Sequence, residues 1–182
     1  MSDLLDLQVA GLPLHILLVH VVVVGVPLLA VLLIVLAAWP SARRVLWLPV
    51  LIAAVLVLIL TFATVEAGEW LLSRVPEAPL ITQHAEQGED VTPWVVGLVA
   101  LAALVAGVAI AERRTPAPRD DGTSQERTAA RRGGWRTAIA VLLVVASVGV
   151  GVGAIWTTIR VGEAGSRAVW EGSFSDDPLD GR

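Results

Sequence analysis

The sequence predicts an all-α fold, a bundle of four transmembrane helices with both termini on the outer side of the membrane. Three observations predict it. The 182-residue chain is 55% hydrophobic and only 16% charged, against roughly a quarter charged in ordinary soluble domains, and its mean hydropathy is +0.74. Four apolar stretches each reach the about 20 residues needed to cross a bilayer. Arginines concentrate after the first stretch and after the third, which fall on the same side of the membrane.

Span one runs from Leu12 to Trp39 and span two from Val45 to Leu72. Span three runs from Val91 to Ala111 and span four from Trp135 to Ile159. Continuous Val, Ile and Leu runs still form helices in lipid, because an open strand would leave its backbone groups unpaired. A β-barrel would show alternating rather than continuous apolar residues. Pro40 and Ser41 start a tight connection between spans one and two, and Gly25 and Pro27 are expected to kink span one. Small residues at Ala103, Gly107 and Ala111, and at Gly149 and Gly153, are expected to let helices approach closely. The glycine run from Ser147 to Gly153 lies mid-span, without the strand-before, helix-after context of a phosphate loop. Residues 1–182 read as a single membrane domain, with a flexible cytoplasmic loop over 112–134 and a frayed acidic tail over 171–182.

Nine of the 13 basic residues, all of them arginine, fall in the two connections that follow spans one and three. The positive-inside rule therefore puts those connections in the cytoplasm and both termini outside. Trp39, Trp47 and Trp135 then mark the inner interface, and Trp70, Trp94 and Trp156 the outer one. The first residues carry no positive charge, so the opening stretch reads as a retained span rather than a cleaved signal. The absence of cysteine excludes disulfides and thiolate chemistry, and the absence of lysine excludes a Schiff base. A net charge of −4 gives no affinity for nucleic acid; the partner implied is the lipid bilayer.

Imidazoles are costly at membrane depth, and two of the chain's three histidines, His15 and His20, lie in span one. The topology places His15, His20, Glu66, Glu69, His84 and Glu163 towards the outer side, drawn from four separated segments. His84 is read as part of the outer loop before span three. His15 and His20 are five residues apart, about 140° around a helix, so they do not share a face. Of the two, the deeper His20 is the one expected in a buried or functional role. Glu66 and Glu69, three apart, do share a face.

The segment Gly11-Leu-Pro-Leu-His-Ile-Leu-Leu-Val-His20 resembles the opening signature of the domain of unknown function 2231 family of bacterial membrane proteins. Ala67-Gly-Glu-Trp70, His84 and Val161-Gly-Glu-Ala-Gly-Ser-Arg-Ala-Val-Trp170 extend the resemblance over nearly the whole chain. The alanine-rich, lysine-free composition looks like an actinobacterial member. The resemblance implies a four-span plasma-membrane module whose relatives are joined to redox domains. It also implies haem or a divalent transition metal as cofactor, with His15, His20, Glu69 and His84 as site residues. The chain departs at Glu163, where the resemblance implies histidine; a carboxylate there can still bind metal or relay a proton.

Three functions fit these residues. The first is a metal- or haem-binding accessory to redox chemistry. The second is a structural or partner-binding subunit, in a homo-oligomer or a redox membrane complex. The third is a small transporter or proton relay, disfavoured because the inner halves of the spans lack charge and histidine. No catalytic residue is assigned, since no nucleophile stands at a recognisable spacing from a base.

Overall fold

The computed structural model describes residues 7–114 and 125–175; over 125–133 and at 136 it describes the backbone alone. A two-stranded hairpin, β1 (Gln8–Val9) and β2 (Leu12–Pro13), leads into helix α1 (Leu14–Ala38). Then follow α2 (Pro40–Leu72), α3 (Pro79–Glu89), α4 (Val91–Arg114) and α5 (Gln125–Trp170). The hairpin turns through Ala10 and Gly11 with φ of 52° and 79°, the paired positive values of a two-residue primed turn. The Leu14 amide then donates to the Leu7 carbonyl at 2.8 Å, which ties the hairpin to the start of α1.

Four helical stretches are long and apolar enough to cross a membrane, and the chain is a multi-pass membrane protein with an all-α four-helix bundle. At about 1.5 Å per residue, the 25 residues of α1 span about 37 Å, enough for a hydrocarbon core of about 30 Å. Prolines stand where their missing N–H costs little: Pro40 opens α2 and Pro79 opens α3. Pro27 and Pro49 are the exceptions. They lie within α1 and α2, and each helix continues through its proline, to Ala38 and to Leu72. Gly25, near Pro27, lets α1 approach Val57 of α2.

Helix α1 packs against α2, α4 and α5, and α4 packs against α2 and α5. The α1–α4 pair is thus the diagonal of the bundle, with α2 and α5 on its flanks. Burial follows that arrangement: 39% of the apolar window is buried in α1 and in the α4 stretch, against 17% in α2 and 22% in α5. Val26, Leu33, Leu36, Leu98, Val95 and Val105 form the centre of the core. The flanking helices keep their Val, Ile and Leu on the outside, facing lipid, as in Val55, Leu56, Ile59, Leu142 and Val145. That inversion is physical: lipid tails solvate apolar side chains, so packing rather than water exclusion selects the interior.

Of the small residues read in the sequence as points of close approach, Gly153 is one, but Gly107, Gly149 and Ala103 are not. Gly107 and Gly149 have nothing within 4 Å of where a side chain would stand, and Ala103 is exposed. The helices instead meet at Gly97, against Val150, and at Gly151, against Ala30. At Gly153 the Trp94 ring fills the space that a side chain would take.

Two boundaries also differ. The segment expected as an outer loop contains α3, an 11-residue helix resting on α5 and α2. Its half-buried residues Leu80, Ile81, His84, Ala85 and Gly88 recur at helical spacing, and Pro79 supplies its first turn. Helix α5 begins at Gln125 and continues to Trp170, beyond the expected 135–159 in both directions. Its 46 residues reach about 69 Å, well past the membrane. Within the expected loop, 125–134 is therefore helical and 115–124 lies outside the described residues. Of the expected tail, 171–175 forms a turn and 176–182 lies outside the described residues.

Candidate functional site: a paired imidazole at one end of the bundle

His15 stands in the first turn of α1, so the hairpin before it fixes its height in the bundle. Its Nδ1–H donates to the Thr64 carbonyl of α2 at 2.9 Å. In the neutral ring that leaves Nε2 as an open acceptor. The Thr64 side chain is itself buried, and its hydroxyl donates back to the Leu60 carbonyl at 2.6 Å. A Cβ on Gly68 would stand 2.9 Å from His15 Nδ1. Only glycine gives the imidazole room to lie on the α2 backbone.

His84 comes from α3. Its ring lies edge-on to that of His15, with centroids 6.2 Å apart and planes at 76°. A Cβ on Gly165 of α5 would stand 2.9 Å from His84 Cε1. The second imidazole thus lies in a glycine slot like the first. His84 Nδ1 is buried and has no hydrogen-bond partner. Helix α3 precedes the apolar run of α4, which begins at Val91, and His84 lies outside the spanning segments. Burial pushes its pKa below 6.5; the neighbouring His15 adds to the shift, and the Val161 backbone opposes it. The slot on α5 therefore favours the neutral form of His84. Four helices contribute to it: α1 and α3 give the rings, and α2 and α5 give the slots.

The other candidates do not join the pair. His20 is exposed on the outside of α1, and its Nδ1–H donates to the Ile16 carbonyl of the same helix at 2.7 Å. This departs from the buried role expected of it; the 140° between the two histidines turns His15 inward and His20 outward. Glu66 and Glu69 share a face of α2, as their spacing requires, and that face is exposed. Glu163 is exposed and pairs with Arg167 on its own helix at 2.7 Å. It lines a polar groove of about 250 Å³ between α3 and α5, with Gln83, Gln87, Arg160, Arg167 and Glu171. Among the described residues no three His, Asp or Glu side chains gather at metal-binding spacing.

Comparisons with family models, with curated proteins and with solved structures found no match for this chain.

The structure also holds a polar centre that sequence reasoning read only as a marker of topology. Arg43 is 2% exposed and pairs with Glu112 of α4 at 2.5 Å. Its Nη1 donates to the Leu36 and Ala37 carbonyls at 3.0 Å each. It thereby satisfies the last turn of α1, whose carbonyls have no partners within the helix. The signal was present in the sequence: an arginine a few residues past a helix end is well placed to cap it.

Proposed function

We propose that this chain is a plasma-membrane protein of a bacterium, related to the domain of unknown function 2231 family, with both termini outside. In this reading its His15–His84 pair binds a transition-metal ion as an accessory to redox chemistry. The observation that carries the proposal is the pair itself, two imidazoles in glycine slots with His15 Nδ1 held by a backbone carbonyl. A carbonyl-bound Nδ1–H with a free Nε2 is the common arrangement of a metal-ligating histidine. The buried, unpartnered His84 Nδ1 supplies a second nitrogen in need of a partner. Imidazole donors suit copper, iron and zinc. Two such donors fit a metal of low coordination number, or one whose remaining ligands come from water or a partner chain. A bound copper or iron would supply one-electron exchange. The protein's own part is to hold the two rings side by side and, by burial, to favour the unprotonated form of His84.

The test is metal content and optical spectrum of the purified full chain, after growth with copper, iron and zinc. The expected result is one metal ion per chain, lost in His15→Ala and in His84→Ala. His20→Ala keeps the metal, because that side chain faces outward. A wild-type protein that takes up no metal and shows no absorbance beyond its tryptophans refutes the proposal.

A second reading rests on the same contacts. The pair ties α1 to α2 through Thr64 and α3 to α5 through Gly165, which suits a structural or partner-binding subunit. In that case His84→Ala lowers stability while metal content stays at zero in every variant. A relay across the membrane is less supported. The buried threonines Thr61, Thr64 and Thr158 all bond back to their own helices, so they form no chain of polar groups.

A further inference from the structure

The opposite end of the bundle carries a second site. A cavity of about 180 Å³ opens between α4 and α5, lined by Arg43, Glu112, Val108, Trp135, Ile139 and Ala140. Two buried polar atoms on its lining residues have no hydrogen-bond partner: Arg43 Nε, a donor, and Glu112 Oε2, an acceptor. The rest of the wall is apolar. That volume is far above the about 10–15 Å³ that one bridging water needs. Glu112 is shared between two guanidiniums, Arg43 and Arg44. Arg44 Nε lies 3.8 Å from Glu112 Oε2, and Arg113 donates to the Arg44 carbonyl and stacks over Trp47 at 5.9 Å. Arg44, Arg113 and Arg114 are exposed. The local charge is positive even after Glu112 has neutralised Arg43.

We propose that this cavity holds the headgroup of an anionic phospholipid with a polyol headgroup, of the phosphatidylglycerol class, from the leaflet at the arginine end. The chemistry is complementary at each point. The phosphate accepts from Arg43 Nε and faces the exposed guanidiniums. A headgroup hydroxyl donates to Glu112 Oε2, and the first methylenes lie along Val108, Ile139 and Ala140. Trp135, 69% exposed, stands at the headgroup level where an indole is favoured. Basic clusters beside spanning helices are the usual means of selecting anionic lipid.

The test is native mass spectrometry of the delipidated full chain in mild detergent, titrated with phosphatidylglycerol or with phosphatidylcholine of the same acyl chains. Free glycerol phosphate and inorganic phosphate serve as soluble competitors. One phosphatidylglycerol binds about tenfold tighter than phosphatidylcholine, the worth of a hydrogen bond to a charged group. Ala140→Phe fills the cavity and abolishes the preference. Trp135→Ala alters an exposed ring, so the fold survives, and it weakens the preference at least threefold. Equal binding of the two lipids, or a preference unchanged in both variants, overturns the proposal. So does displacement of the lipid by glycerol phosphate or inorganic phosphate at equal concentration, which would make the ligand a soluble phosphate.

Discussion

A Cβ at Gly68 would stand 2.9 Å from His15 Nδ1, and one at Gly165 would stand 2.9 Å from His84 Cε1. Neither ring can retreat without giving up its place beside the other. Gly68→Ala and Gly165→Ala should each destabilise the protein by about 1–3 kcal/mol, the usual cost of overpacking, read as the melting temperature in detergent. Gly107→Ala, where the space is open, should leave it unchanged. Arg43 poses the opposite problem, a buried charge whose removal strands its partner. Arg43→Met alone should cost up to about 3–5 kcal/mol, because Glu112 loses its buried partner and keeps only the exposed Arg44 at 3.8 Å. Adding Glu112→Leu should recover much of that loss, and a double-mutant cycle over the four proteins checks it. If the double variant is as unstable as the sum of the two singles, the pair is not coupled.

At the scale of elements, α3 is the piece whose position depends on protonation. Docked against α5, His84 is held neutral by burial first and by His15 second. Undocked, it titrates near its ordinary 6.5. The free helix therefore binds a proton that the docked helix refuses. Docking is at full strength above about pH 6.5 and weakens as the pH falls below it. Hydrogen exchange of the Pro79–Glu89 amides should accelerate between pH 7 and pH 5 by more than the intrinsic change in exchange chemistry. In His84→Gln that extra acceleration should vanish, since no titrating group is left in the slot.

For the whole molecule, the two polar centres sit at opposite ends of one apolar bundle. The imidazole pair gathers α1, α2, α3 and α5 at one end, and the Arg43–Glu112 pair joins α1, α2 and α4 at the other. The orientation can be read directly, because the chain has no cysteine and any introduced thiol is unique. A membrane-impermeant maleimide on intact cells should label Glu86→Cys at the imidazole end. It should reach Arg114→Cys at the arginine end only after lysis. The reverse pattern would refute the orientation and move both sites to the other sides of the membrane.

The sequence by itself determined the four spans and their apolar character, since a bilayer sets the length and leaves backbone groups no partner but the helix. It also determined that His15 and His20 point in different directions, which follows from helical period alone. The tertiary structure decided which of them matters to the pair. Spacing along one helix does not say which face meets a neighbour, and in lipid apolar faces lie outside as readily as inside. His20, the deeper residue, thus turned outward while His15 turned inward. Helix α3 escaped the reading because its residues are mostly polar and its amphipathic period is short. Gly68, Gly165 and the Arg43–Glu112 pair were visible only as a small residue in a motif or a charge in a loop. Their roles arise from distances between helices far apart in the chain, and such distances are fixed by packing rather than by any local pattern.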